Sequence, residues 1–114
     1  MTVRLADREF DGPFLLRDWS GGPVPGVYTL LVLDGQEYRP VFVGETANFL
    51  ERGFPPSRKG TAGWLALADY HQSLYIAVHP LAGPTDRKAL ERQMIRAYQP
   101  ECNEAFASRS ILVH

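Results

Sequence analysis

The chain has 114 residues, of which 45% are hydrophobic and 22% charged. That suits one soluble globular domain over residues 1–114 and excludes a disordered tail-like chain. The formal net charge of −1 argues against avid nonspecific nucleic-acid binding, which needs a basic surface to neutralise phosphates, but leaves room for a local basic patch. The single cysteine, Cys102, allows neither an intrachain disulfide nor a cysteine-based metal site. No apolar run approaches the roughly 18–20 residues of a membrane span. The start, Met1-Thr2-Val3-Arg4, has neither a basic cluster nor a long apolar stretch, so a cytoplasmic protein without membrane contact is expected.

Residues 1–23 are mixed in character and end in a loop at Ser20-Gly21-Gly22-Pro23, so they read as an N-terminal extension. Gly26-Val27-Tyr28-Thr29-Leu30-Leu31-Val32-Leu33 is β-branched, aromatic and apolar at nearly every position, and reads as a strand buried on both faces. Asp34-Gly35 is a turn signal, and 38–44 reads as the returning strand of a hairpin. A short helix is expected over 47–52, with Thr46 as its N-cap and Gly53 with Pro55-Pro56 as its stop. Residues 54–62 read as a loop carrying Arg58 and Lys59, and 63–70 as a second short helix. A third strand is expected over 73–78. The longest helix opens at Thr85-Asp86 after Gly83-Pro84 and runs to Tyr98, where Pro100 stops it. Residues 111–113 read as a further edge strand. This order predicts an α/β (α+β) fold, with a small, mostly antiparallel three-stranded sheet flanked by helices.

Glu91 is anomalous. On a helical wheel of about 100° per residue, Leu90, Met94, Ile95, Ala97 and Tyr98 form one apolar arc. Arg92, Gln93, Arg96 and Gln99 lie opposite, and Glu91 falls within the apolar arc. A buried carboxylate must be paired, protonated or bound to a metal. A structural ion pair with an arginine from another element and a functional role are both open.

Four segments together resemble the GIY-YIG endonuclease family. Gly26-Val27-Tyr28 is similar to its first motif, and Phe42-Val43-Gly44 to its second. Arg52 stands eight positions after Gly44, in a segment similar to the family's Thr, Asn, apolar residue and Arg. Leu90-Glu91, Met94-Ile95, Tyr98-Gln99-Pro100 and Asn103 are similar to its final helix and Pro-x-x-Asn end. The resemblance covers about residues 24–104 and implies a GIY-YIG-like domain that hydrolyses DNA phosphodiester bonds with Mg²⁺ or Mn²⁺. It implies Glu91 as the metal ligand and Arg52 on the phosphate. It also implies Tyr28 on the attacking water or phosphate, and Asn103 in support. Phe42 departs from the pattern, since the family has a tyrosine there and phenylalanine lacks the hydroxyl.

That chemistry needs a positioned water, a proton acceptor, charge stabilisation at phosphorus and help for the leaving oxygen. A planar guanidinium and a carboxylate-held hard cation supply two of these. Each residue also has a plainer reading. Arg52 can favour a helix dipole, Tyr28 can be a core tyrosine and Asn103 can be a cap. Arg58 and Lys59 can contact phosphates or merely be solvated. His71 and His79 match no zinc spacing, and Trp19 and Trp64 read as core or interface residues. The leading expectation is an endonuclease acting on DNA, with any targeting supplied by loops, an oligomer or a protein partner. The alternative is a catalytically weak or inactive binding or regulatory module, which Phe42 and the slightly acidic charge favour.

Overall fold

The computed structural model describes residues 1–52, 74–100 and 103, with residues 51 and 52 described by their backbone alone. The expected helix over 63–70, the loop with Arg58 and Lys59, His71, Trp64 and the edge strand over 111–113 lie outside the described residues. Among the described residues there are five strands and two α-helices: β1 (Thr2–Leu5), β2 (Arg8–Leu15), β3 (Gly26–Asp34), β4 (Glu37–Thr46), α1 (Phe49–Arg52), β5 (Tyr75–Pro80) and α2 (Pro84–Tyr98). A 3₁₀ turn, Leu16–Asp18, follows β2. The strands form one antiparallel sheet in the order β1-β2-β5-β3-β4.

The α+β class is therefore correct, but the small three-stranded, GIY-YIG-like sheet is not what the chain builds. The expected hairpin and third strand are present as β3, β4 and β5, and the first fifteen residues add β1 and β2 beyond β5. That hairpin turns at Ala6 and Asp7, both with positive φ (50° and 62°). Such two-residue turns normally carry Asn or Gly, so Ala6-Asp7 gives no turn signal. β2 also contains Gly12-Pro13, residues that usually argue against a strand interior. They fit because the register slips between Asp11 and Phe14, leaving both as a bulge opposite β5. Gly12 has φ +117°, and a Cβ there would meet the Ile76 carbonyl oxygen at 2.7 Å.

β3 behaves as its sequence predicts. Gly26 to Val32 are all buried, because alternate residues feed two separate cores. Tyr28, Leu30 and Val32 pack on one face with Leu16, Val41, Phe49, Ile76 and Val78. Val27 and Leu31 pack on the other with Phe10, Val43, Leu90 and Met94. Helix α2 thus covers the second face through Leu90 and Met94. Its Tyr98 hydroxyl accepts a hydrogen bond from the Ala6 N–H at 2.9 Å, tying the helix end to the N-terminal hairpin.

The helix boundaries follow local chemistry. Gly83 is the N-cap of α2 and Pro84 takes the first position, where its missing N–H costs nothing. Gln99 is left-handed at the C-cap, with its N–H donated to the Ile95 carbonyl, just before Pro100. At α1 the cap is not the expected Thr46. The Asn48 side chain accepts from the Leu50 N–H at 3.0 Å, while the Thr46 hydroxyl holds Asn48 itself through its N–H and carbonyl. The helix consequently starts later, at Phe49. Ala97, placed in the apolar arc by the wheel, is exposed.

Candidate active site at the β4 edge

β4 ends the sheet, so one of its edges has no neighbouring strand among the described elements. Phe42 lies in its segment 42–45, and three of the other four site residues implied by the resemblance reach that segment. Tyr28 pairs directly with Gly44 across the hairpin. A side chain at Gly44 would run into the Tyr28 hydroxyl and ring, so the phenol lies over the glycine and needs the absence of a Cβ there. Tyr28 is 2% exposed. Its ring meets Phe42 edge-on, with centroids 6.1 Å apart and planes at 88°, a favourable aromatic arrangement. The hydroxyl lost at Phe42 is thus lost beside the Tyr28 ring. Beneath them, buried Thr29 donates its hydroxyl to the Phe42 carbonyl at 3.0 Å.

Asn103 reaches the same segment. Its amide donates to the Val43 carbonyl at 3.0 Å and accepts from the Val43 N–H at 2.7 Å. Both groups of Val43 therefore face away from β3. In an antiparallel pair, residues two apart point their backbone groups the same way, so the Glu45 N–H also faces this edge.

Glu91 meets Glu45. Its carboxyl pKa is raised, first by burial and second by the Glu45 charge. Arg92, Lys88 and a backbone hydrogen bond from Glu45 act in the opposite direction. The expected alternative, a direct ion pair between Glu91 and an arginine of another element, is absent among the described residues. Arg87, one turn earlier on the same helix, instead pairs with Glu45: Nε to Oε1 is 3.5 Å, with the side chains 8% and 18% exposed. Its Nη1 alone donates to the carbonyls of both Ala82 (2.5 Å) and Leu81 (3.5 Å). Its Nε has no hydrogen-bond partner among the described residues, leaving charge attraction as its hold on Glu45.

Tyr28 and Glu91 approach from opposite faces of the sheet, since Val27 and Tyr28 belong to different cores. The phenol lies over Gly44 on one face, and Glu91 lies near Glu45, the next residue, on the other. The remaining implied residue, Arg52, ends α1 directly after this strand, and its side chain lies outside the described residues. His79 sits in β5 with Nδ1 2.8 Å from the Glu9 carbonyl and its ring against Phe10, while Trp19 packs edge-on against Phe49. Both match the plainer expectation for these residues. A hollow of about 400 Å³ lined by Phe14, Leu15, Asp18, Trp19 and Ser20 involves none of the implied site residues.

Sequence reasoning passed over Arg87 and Glu45. A signal for Arg87 was available, because it lies four residues before Glu91 and three before Leu90, on the helix face that meets the sheet. Glu45 gave none, since a carboxylate after a strand glycine is ordinarily solvated.

Glu91 offers a half-buried carboxylate whose charge is poorly compensated. Mg²⁺ commonly takes one or two carboxylates and keeps waters elsewhere. Among the described residues, no group of three or more His, Cys, Asp or Glu could hold a metal unaided. No helix among them is long and apolar enough to cross a membrane. Comparison of the chain with family models, curated proteins and solved structures gives no match.

Proposed function

We propose that this chain is a metal-dependent endonuclease that hydrolyses DNA phosphodiester bonds. One observation carries the reading: Tyr28, Glu91 and Asn103, chosen from sequence as far apart as residues 28 and 103, all reach residues 42–45 of β4, which include Phe42. Glu91 would hold Mg²⁺ or Mn²⁺ through the carboxylate lone pairs left free by the Glu45 N–H. The ion, when bound, supplies charge stabilisation for the leaving oxygen. Arg52 is assigned to the phosphate, where its fork neutralises two oxygens at once. Tyr28 is assigned to the attacking water, as hydrogen-bond partner and proton acceptor. Asn103 keeps the edge strand in place through Val43. Any choice of DNA target then rests with loops, an oligomer or a protein partner.

A second reading, a binding or regulatory module with little hydrolysis, draws on a specific observation. Phe42 has no hydroxyl, and Tyr28 is 2% exposed beneath its neighbours, so neither ring offers a freely hydrated oxygen. The test is cleavage of plasmid, single-stranded and branched DNA by the purified chain, with Mg²⁺, Mn²⁺ or chelator. Metal-dependent cutting that disappears in Glu91→Gln supports the enzyme. A folded chain that binds DNA but cuts none of these forms with either metal replaces it with the binding module.

A further inference from the structure

Helix α2 buries Arg87, Leu90 and Met94, and the surface it leaves outside is basic. Lys88, Arg92 and Arg96 recur every fourth residue and are all exposed. At about 100° per residue, each step of four turns by about 40°, so the three share one outward arc of about 80°. Thr85, Ala89 and Gln99, also exposed, lie in or beside that arc, and no carboxylate does. The acids of the helix, Asp86 and Glu91, fall on its two flanks. None of the three cations is in an ion pair among the described residues. They form a local basic patch of the kind that a net charge of −1 leaves room for.

The row has the dimensions of a polyanion. At about 1.5 Å of rise per residue it is about 12 Å long. A DNA strand carries one phosphate per about 3.4 Å of axis, so three cations face about three or four phosphates. An anionic membrane is a poorer complement, because the arc holds no large apolar residue to enter the acyl layer. Glu91 follows Lys88 by three residues, and residues three apart are neighbours on a helix surface. A strand held by the row therefore passes beside the carboxylate assigned to the metal.

We infer that the exposed row Lys88, Arg92 and Arg96 of α2 binds the phosphate backbone of a DNA strand and sets its path beside Glu91. The inference rests on the proposed nuclease reading for its choice of polyanion and deepens it, since it names the surface that takes the substrate. Phosphate contacts position a protein without reading sequence.

The experiment measures binding of the full chain to a fluorescein-labelled DNA duplex by anisotropy, over a range of NaCl concentrations. Chelator is present throughout, so binding is read without cleavage. Each phosphate neutralised contributes about 0.9 to the slope of log K against log salt. Replacing one row residue by Gln should flatten the slope by about 0.9, and replacing all three by about 2.7. Glutamine matches Lys and Arg in helix propensity, so these exposed substitutions leave the helix intact. Arg4→Gln is the control. Arg4 is exposed and alternates with Val3 and Leu5, which pack on the α2 side of the sheet, so it lies on the opposite face. Its slope should match the wild type.

A triple variant with wild-type affinity and slope overturns the inference and leaves the nuclease reading to the cleavage assay. Equal flattening by Arg4→Gln also overturns it, since net charge alone would then set the binding. So does a wild-type chain that binds no duplex. Tighter binding to phosphatidylserine vesicles than to DNA, lost in the triple variant, replaces it with a membrane surface. A row-dependent DNA complex that cuts no DNA with either metal sustains the inference and overturns the nuclease reading alone.

Discussion

Gly44 and Glu45 are neighbours on one strand, yet the two faces they serve are built from different interactions. On the Gly44 face, Tyr28 and Phe42 pack edge-on in a core that also holds Leu30, Val41 and Phe49. Its stability comes from apolar area removed from water and from shape. On the Glu45 face, Arg87 and Glu91 bring charge against the strand. There, stability depends on each charge keeping its partner. The same comparison separates the roles in the proposed reaction: the aromatic face supplies the hydroxyl or lacks it, and the charged face supplies the metal ligand. Substitutions on the first should change packing or add an oxygen, whereas substitutions on the second should expose an uncompensated charge.

The largest expected effect is on activity, and it tests the aromatic face. If the missing hydroxyl at Phe42 limits catalysis, Phe42→Tyr should raise Mg²⁺-dependent cleavage toward the ~10²–10⁴-fold that a general base contributes. Phe42 is only partly buried, which leaves a path for the added oxygen. Adding Arg52→Ala should cancel the gain. Unchanged rates in a folded variant would mean that Phe42 is a packing residue only.

Next comes the charged face. Arg87→Ala leaves Glu45 without its partner at a site only 18% exposed, and breaking a buried pair by removing one member costs about 3–5 kcal/mol. Glu45 has some access to water, so the lower end of that range is expected in urea denaturation. A loss below about 1 kcal/mol, the value typical of a surface pair, would show the pair to be solvent-screened. Gly44→Ala should cost about 1–3 kcal/mol through overpacking, since its Cβ runs into the Tyr28 ring and hydroxyl. Gly44→Ala combined with Tyr28→Phe should recover part of that loss by removing the oxygen. A fully additive double variant would refute the contact.

The smallest effect concerns pH. The Glu91 carboxyl is raised above 4.5 in the folded chain, first by burial and then by Glu45. A raised acid binds its proton more tightly when folded. Its contribution to stability is therefore complete below the unfolded pKa and is lost as pH rises through the folded one. Denaturation of the metal-free chain from below pH 4.5 toward neutrality should show a stability decline that Glu91→Gln flattens. Saturating Mg²⁺ should reverse the slope in the wild type, because the ion binds the deprotonated carboxylate. Identical pH profiles for wild type and Glu91→Gln would remove Glu91 as the titrating group.

Legibility from sequence followed local signal strength. β3 was readable because an apolar run bounded by turn residues can feed two cores, and α2 because Gly83-Pro84 and Pro100 mark its ends. Glu91 was readable as an anomaly because a carboxylate in an apolar arc violates the helical pattern. The N-terminal hairpin was not readable: Ala6-Asp7 lacks turn chemistry, and Gly12-Pro13 looks like a strand break until the bulge against β5 is seen. Without β1 and β2 the sequence suggests a three-stranded sheet, where the described residues form five strands. The Arg87–Glu45 pair depends on which strand lies beneath the helix, and helical spacing alone does not carry that information.

The side chain of Asn103 bonds both polar groups of Val43, much as the backbone of one further strand would. Such an edge otherwise offers unpaired donors and acceptors to any extended chain that meets it, including another copy of the same protein. At Val43 a single amide side chain already occupies the donor and the acceptor that such a chain would need.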